Sequence, residues 1–327
     1  MARLTKKELR VNGGPSKGDI PLSRKPAIKS SISGEASKTN SSASILPFIM
    51  EVDTTKAGSA SDTMVILTKD DEDYSFDIDW GDSNIETYTS SSLASITHTY
   101  SVGGVYSISI FGEFPRFLFN SGGDVLKPTK ILAWGDVRFS LLTNAFRGCA
   151  NLVAAYSDTP QFKPSISASN LGFRGAALWN GSFIGADFSL LTSAKQTFQD
   201  CTVYNQPYPD MPIVTNCLNL FRDTAFNQLL PSIPLVESIK GLLAGTPFNQ
   251  DMTGLSLEFV DNADDFLLGN TALSTANYDT YLQWIDGTTI NNTFTINFGA
   301  ATYSAAGVDG RAYLVAQGLT VIDGGAA

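Results

Sequence analysis

Tyr204-Asn205-Gln206, Phe226-Asn227-Gln228 and Phe248-Asn249-Gln250 place an aromatic residue before Asn-Gln three times, 22 residues apart each time. A fixed period in the twenties marks a solenoid, in which a short unit buries its apolar side only against its neighbours. The surrounding residues repeat as well. Phe198, Phe221 and Leu243 each stand three places before a small residue (Cys201, Thr224, Thr246), and looser copies begin at Phe146 and Phe173, with Cys149 and Ala176 in the small position. This spacing predicts about five or six coils between residues 131 and 273. Solenoids are display surfaces more often than catalysts, so the repeat points to binding or scaffolding.

Of the 327 residues, 43% are hydrophobic and 17% charged, which suffices for packed cores in about two or three domains. The net charge of −10 is unevenly spread. Residues 1–46 hold nine basic side chains (Arg3, Lys6, Lys7, Arg10, Lys17, Arg24, Lys25, Lys29, Lys38) against three acids, and the remainder holds 13 against 29 (22 less 9, 32 less 3). Rich in Ser, Gly, Lys and Pro without periodicity, this arm is expected to lack a fold of its own and to dock on an acidic surface of a larger assembly. It has no aromatic side chain for base stacking, and the acidic body repels phosphate, so nucleic acid is not an expected partner. No stretch approaches the ~20 apolar residues of a membrane span. The charged start has no apolar run behind it and is not read as a signal peptide.

The three cysteines have no metal-ligand spacing. Cys149 and Cys201 fall in the small position of the repeat, and Cys217 lies four before Phe221, where other coils carry Leu142, Ala194 and Ile239. All three read as small core residues rather than as disulfide partners.

Residues 47–127 read as short strands at 48–52, 64–67, 74–80 and 104–110, separated by turn residues at the spacing of a β-sandwich. Within them, Trp80-Gly81-Asp82-Ser83, His98-Thr99-Tyr100 and Gly104-x-Tyr106-x-Ile108 follow in order. This series resembles the polycystic-kidney-disease-type (PKD) Ig-like sandwich, whose pattern is WGDG…HTY…G-x-Y-x-V; Ser83 replaces the final Gly. The resemblance implies a spacer or adhesion module without catalysis.

Residues 128–273 resemble the BspA-like leucine-rich-repeat family of bacterial surface proteins and their phage relatives. Residues 274–327 extend that likeness to the family's terminal segment. Its residues are Leu273-Ser274-Thr275-Ala276-Asn277-Tyr278-Asp279 with Trp284, Tyr303-Ser304-Ala305-Ala306, Arg311-Ala312-Tyr313-Leu314 and Thr320-Val321-Ile322-Asp323-Gly324-Gly325. In physical terms this segment is a cap over the last apolar face. Ser304 is expected to N-cap a helix over about 305–317, Gly318 to end it in the left-handed conformation, and 320–322 to add a last strand. The bacterial members are exported with signal sequences, whereas this chain has the basic arm. A virion protein needs no export because its host is lysed, so the difference favours a phage structural protein over a bacterial adhesin.

Chemistry-bearing residues are few. His98, the single histidine, lies inside the sandwich motif and reads as a side chain tying a loop to the sheet rather than as a general base or metal ligand. Asp70, Asp71, Glu72, Asp73, Asp77, Asp79 and Asp82 form an acidic cluster, but Tyr88 stands at the twelfth position from Asp77, where a calcium loop needs Glu. Asp264-Asp265 would suit glycoside hydrolysis only if two acids converged on a cleft, and a solvated turn is expected instead. The aromatics Tyr204, Phe226 and Phe248 read as an internal stack in preference to a sugar-stacking ladder. The Asn-Gln pairs fit either an internal amide ladder or an outward row of hydrogen-bonding groups.

The expected architecture is therefore multidomain: a basic arm, an Ig-like β-sandwich, an α/β leucine-rich-repeat-like solenoid and an α/β cap. The expected function is non-enzymatic, without cofactor, metal or catalytic residues. The chain reads as a virion structural protein (capsid decoration, head fibre or tail-associated) on the virion exterior, bound to other virion proteins through its arm and touching a host-surface glycan or protein. The alternative is a BspA-like adhesin at the bacterial cell surface.

Overall fold

Alternation with period two becomes strand structure because each strand can then bury one face. The computed structural model, which describes residues 45–163 and 168–327, shows this in β1 (Phe48–Asp53), β2 (Thr63–Leu67), β3 (Tyr74–Asp79), β4 (Ile85–Ser90), β5 (Ser95–Thr99) and β6 (Val105–Glu113). Phe48, Met50 and Val52 of β1, Phe76 and Ile78 of β3, and Ile108 and Ile110 of β6 are buried, while Ser75 and Asp77 face outward. Next come β7 (Pro128–Ala133), β8 (Arg138–Phe139), β9 (Val153–Ala154) and β10 (Gln161–Phe162). One sheet runs in the order β4-β3-β6-β1-β7-β9, antiparallel as far as β7 and parallel between β7 and β9. It thus crosses the boundary drawn at 127/128. β2 and β5 pair as a separate antiparallel ribbon, and β8 pairs with β10 in parallel.

A buried ion pair locks the loop between β1 and β2. Lys127 and Asp124 are both fully buried, with Nζ 3.4 Å from Oδ1. The ammonium donates to Ser59 Oγ, Ala60 O and Thr63 O at 2.6–2.9 Å. The carboxylate accepts from Ser59 N, Ser59 Oγ and Val65 N at 2.6–2.8 Å. Every charge is met, which is the condition for burying one at all.

From Leu142 onward the backbone makes passes that hydrogen-bond one to the next. Single parallel bridges run Ala168 to Ser193, Ser193 to Asn216, Asn216 to Ser238 and Ser238 to Asn262. Alternate N–H groups of one pass donate to carbonyls of the following one: Ile239, Gly241, Leu243 and Gly245 to Asn262, Asp264, Phe266 and Leu268, at 2.8–3.0 Å. Each pass turns through two left-handed residues four apart, as at Asn219 and Asp223 (φ 52° and 55°), then Gly241 and Gly245 (59° and 70°). Gly241 is needed twice over, since a Cβ there would also meet Asn219 Oδ1 at 2.1 Å. Inside, Phe117, Phe146, Phe173, Phe198 and Phe221 form a column with neighbouring centroids 5.2–6.1 Å apart.

The chain closes with α1 (Thr275–Ile285), β11 (Thr295–Asn297), β12 (Thr302–Tyr303), α2 (Val308–Ala316), β13 (Thr320–Ile322) and β14 (Gly325–Ala326). α1 is N-capped by the Ser274 hydroxyl and buries Tyr278, Tyr281, Leu282 and Ile285. β11 pairs with β13, and β12 with β14, both in parallel. The last strand falls at 320–322 and Gly318 is left-handed (φ 88°), as the sequence predicts. The second helix starts later than the sequence predicts. The Ser304 hydroxyl donates to Asp279 Oδ2 (2.6 Å) and accepts from Ala306 N (3.1 Å), closing a turn rather than capping a helix, and Gly307 holds the cap position. Arg311 grips Asp323 through two nitrogens at 2.8 and 3.3 Å, and Tyr278 Oη donates to the same carboxylate at 2.9 Å. The result is a β-rich fold with two helices and open sheets among the described residues.

Candidate binding surface

The Asn-Gln pairs build a ladder. Asn205 Oδ1 accepts from Asn227 N (2.8 Å) and Gln228 Nε2 (3.1 Å), and Asn227 Oδ1 accepts from Asn249 N (2.8 Å) and Gln250 Nε2 (3.1 Å). The short Asn reaches the backbone of the next pass, and at Gln228 and Gln250 the longer Gln reaches back to the same oxygen. The ladder extends beyond the three motifs. Asn205 N donates to Asn180 Oδ1 (2.9 Å), and at the other end Ser274 N and Asn277 Nδ2 donate to Asn249 Oδ1 (both 2.9 Å). Asn180 follows Trp179, a fourth aromatic-Asn pair lying 25 residues before Tyr204-Asn205 and not among the copies read from the sequence. The amides are half-buried and serve backbone groups, which resolves the choice left open above in favour of an internal ladder.

Trp179, Tyr204, Phe226 and Phe248 are all buried; the first three stack on the phenylalanine of their own pass, and Phe248, whose pass has Leu243 in that place, stacks on Phe226 at 6.4 Å. Centroids are 4.2 Å apart for Trp179 on Phe173, 4.0 Å for Tyr204 on Phe198 and 3.9 Å for Phe226 on Phe221. These rings fill the interior and offer no sugar-stacking platform. Cys149, Cys201 and Cys217 are buried free thiols, and burial pushes all three up, Cys217 to about 12.

In the strand region, the sequence motif is a local clamp. The His98 ring stacks on Trp80 (4.8 Å) and meets Tyr100 edge-on (4.5 Å), while Nε2 lies 2.9 Å from Asp82 Oδ2. Burial works against the charged form of Asp82, but the bonds from His98 and from Asn84 N outweigh it and hold the carboxyl below its usual range. Tyr100 Oη donates to Trp80 O (3.0 Å), Tyr100 stacks on Tyr106 (3.7 Å), and Gly104 N donates to Thr54 Oγ1 (2.9 Å). Gly81 has φ 84°, and a Cβ there would meet Ser107 O at 2.7 Å. These residues fasten the turn after β3 to β5 and β6.

The acids are dispersed. Asp77 accepts from Thr87 Oγ1 (2.6 Å), Asp79 from Gly81 N (2.9 Å) and Glu72 from Ser140 Oγ (3.0 Å), and Asp264 pairs with Lys240 (3.3 Å). Among the described residues, no group of three His, Cys, Asp or Glu is placed to hold a metal ion, and no helix is long and apolar enough to cross a membrane. The arm positions Arg3, Lys6, Lys7, Arg10, Lys17, Arg24, Lys25, Lys29 and Lys38 lie outside the described residues.

A surface remains that the sequence reading did not single out. Four successive passes carry a segment in which two buried apolar residues flank an outward one: Phe188-x-Leu190-Leu191, Met211-x-Ile213-Val214, Ile233-x-Leu235-Val236 and Leu257-x-Phe259-Val260. Backbone bonds from Thr215 N to Thr192 O, Glu237 N to Thr215 O and Asp261 N to Glu237 O (2.8–3.0 Å) set these segments in register. Leu190, Ile213, Leu235 and Phe259 therefore stand in one column, 49, 36, 41 and 40% exposed. The signal was legible as an apolar residue recurring two places after each buried one. Comparison with protein-family models, with curated proteins and with solved structures finds no match.

Proposed function

We propose that the chain is a non-enzymatic structural protein of a phage virion, a capsid decoration, head-fibre or tail-associated component on the particle exterior. In this reading, residues 47–127 are a PKD-type Ig-like sandwich, 128–273 a BspA-like leucine-rich-repeat solenoid and 274–327 its cap. Residues 1–46 anchor the protein to other virion proteins, and the remainder is displayed outward toward a host-surface glycan or protein. The observation that carries the reading is the register of the passes. Aligned passes repeat each outward position along one line, which suits many weak contacts in parallel rather than one reactive centre. The motif residues are engaged in fastening turns and passes, in keeping with a scaffold.

The test is quantitative detection of the chain in virions purified by density gradient, together with limited proteolysis of residues 1–46 in the free protein and in the particle. A stoichiometric copy number with the arm protected only in the particle supports the reading. Recovery of the chain on intact bacterial cells and not in particles overturns it in favour of the adhesin.

A further inference from the structure

We infer that the column Leu190, Ile213, Leu235 and Phe259 is a docking site for a second copy of this chain, engaged through that copy's basic residues 3–29. The inference rests on the assembly reading above and names the partner. Passes spaced like neighbouring strands, about 4.8 Å apart, make the column about 14 Å long, the reach of four to five extended residues. The stripe is apolar with an acidic rim. Residues 187–192, 210–215, 232–237 and 256–261 hold five carboxylates (Asp187, Asp210, Glu237, Glu258, Asp261) and no Lys or Arg.

A hollow of about 390 Å³ adjoins this rim, sharing Asp210 and Ser232 with it. Its walls are Leu229, Leu230, Pro231 and Leu255, and Asp210 and Asp251 stand on its lining. Each carboxylate is held through Oδ1, by Ser232 N (2.8 Å) and by Thr253 N (2.7 Å), which leaves the other oxygen to a cation. An apolar wall ending in two carboxylates matches an arginine or lysine side chain, with its aliphatic stem and charged head. Residues 3–29 present basic beside apolar residues in Arg3-Leu4, Leu9-Arg10-Val11 and Ile28-Lys29. Charge complementarity sets the choice of occupant: two acidic bodies repel, whereas a basic segment meeting an acidic body is steered in.

The test uses the full chain with Ile213→p-benzoylphenylalanine, in an equal mixture of nitrogen-15-labelled and unlabelled protein. Irradiation is expected to give a covalent dimer whose linked peptide maps to residues 3–29 and joins a labelled to an unlabelled chain. Replacing Asp210 and Asp251 by Asn is expected to lower the yield at least about fivefold. Leu235→p-benzoylphenylalanine repeats the test should the first variant misfold by circular dichroism. A link within one chain, a link to any other region, or a folded protein giving no dimer overturns the inference. Stoichiometric chain in virions without this link removes the contact and leaves the structural-protein reading intact. The link without virion incorporation does the reverse.

Discussion

The strand region and the passes use opposite polar devices to hold their backbone together. Around β1 and β2, a single charged pair, Lys127 with Asp124, collects six hydrogen bonds, and among the described residues it is the one ion pair with both side chains fully buried. In the passes, neutral Asn side chains repeat one arrangement from Asn180 to Asn249, each serving only the next pass. The register also differs in range: Ile49 pairs with Ser109 across the sheet, while Asn216 bridges Ser238 22 residues on. A unique lock joins distant parts of the chain into one cooperative unit. A repeated rung makes stability a sum over neighbours and leaves the outward positions free to carry a surface.

The buried lock is the most sensitive point of the fold. Lys127→Met strands a buried carboxylate and is expected to cost about 3–5 kcal/mol in chemical denaturation, with loss of amide protection throughout β1–β6. Phe221→Ala removes a ring that touches Phe198, Tyr204, Tyr208 and Phe226, and a cost of about 3–5 kcal/mol is expected. Its hydrogen-exchange signature is the informative part. Protection should fall in residues 196–245 and change little in β1–β6. Equal loss in both regions would contradict the nearest-neighbour account.

Asn227→Ala leaves the Asn249 N–H and the Gln250 amide without their shared acceptor, so a cost of about 1–3 kcal/mol is expected. That cost should not vary between pH 5 and 8, since the rung is neutral. The strand region behaves differently with acid. The carboxyl of Asp82 is depressed in the folded state, so its contribution is complete above the ordinary value near ~3.9 and is lost as pH falls through the folded value. Asp82→Asn should be less stable than the parent at neutral pH, with the gap closing in acid. Leu235→Glu, an outward position, should change stability by no more than about 0.5 kcal/mol.

Legibility followed the range of each interaction. Strands at 48–52, 64–67, 74–80 and 104–110 were readable because alternation is written in adjacent residues, and the passes because their aromatics recur at one spacing. Asn180 escaped because Gly181 stands where later copies have Gln, and a Cβ at that glycine would meet the Trp179 ring at 2.4 Å. Ser274 and the helical spacing of Tyr278, Tyr281, Leu282 and Ile285 mark α1, which is absent from the expected elements. The delayed start of α2 was not readable, since Ser304 is claimed by Asp279, 25 residues earlier. The lock at Lys127 was hidden for the same reason: its partners Ser59, Ala60 and Thr63 lie more than 60 residues away. The outward column was visible as residue types, but its meaning depends on register, which only the backbone bonds set.

The register of the passes can be read out by engineered disulfides. The native thiols are buried with raised pKa values and leave the assay clear. Ile213→Cys with Leu235→Cys places two thiols on adjoining passes, within the Cα separation of about 4.4–6.8 Å that a disulfide requires. Ile213→Cys with Phe259→Cys places them two passes apart, about 10 Å. Under mild oxidation the first pair should close nearly completely and the second should stay reduced. Closure of the second pair, or failure of the first in a folded protein, would contradict the column and the account built on it.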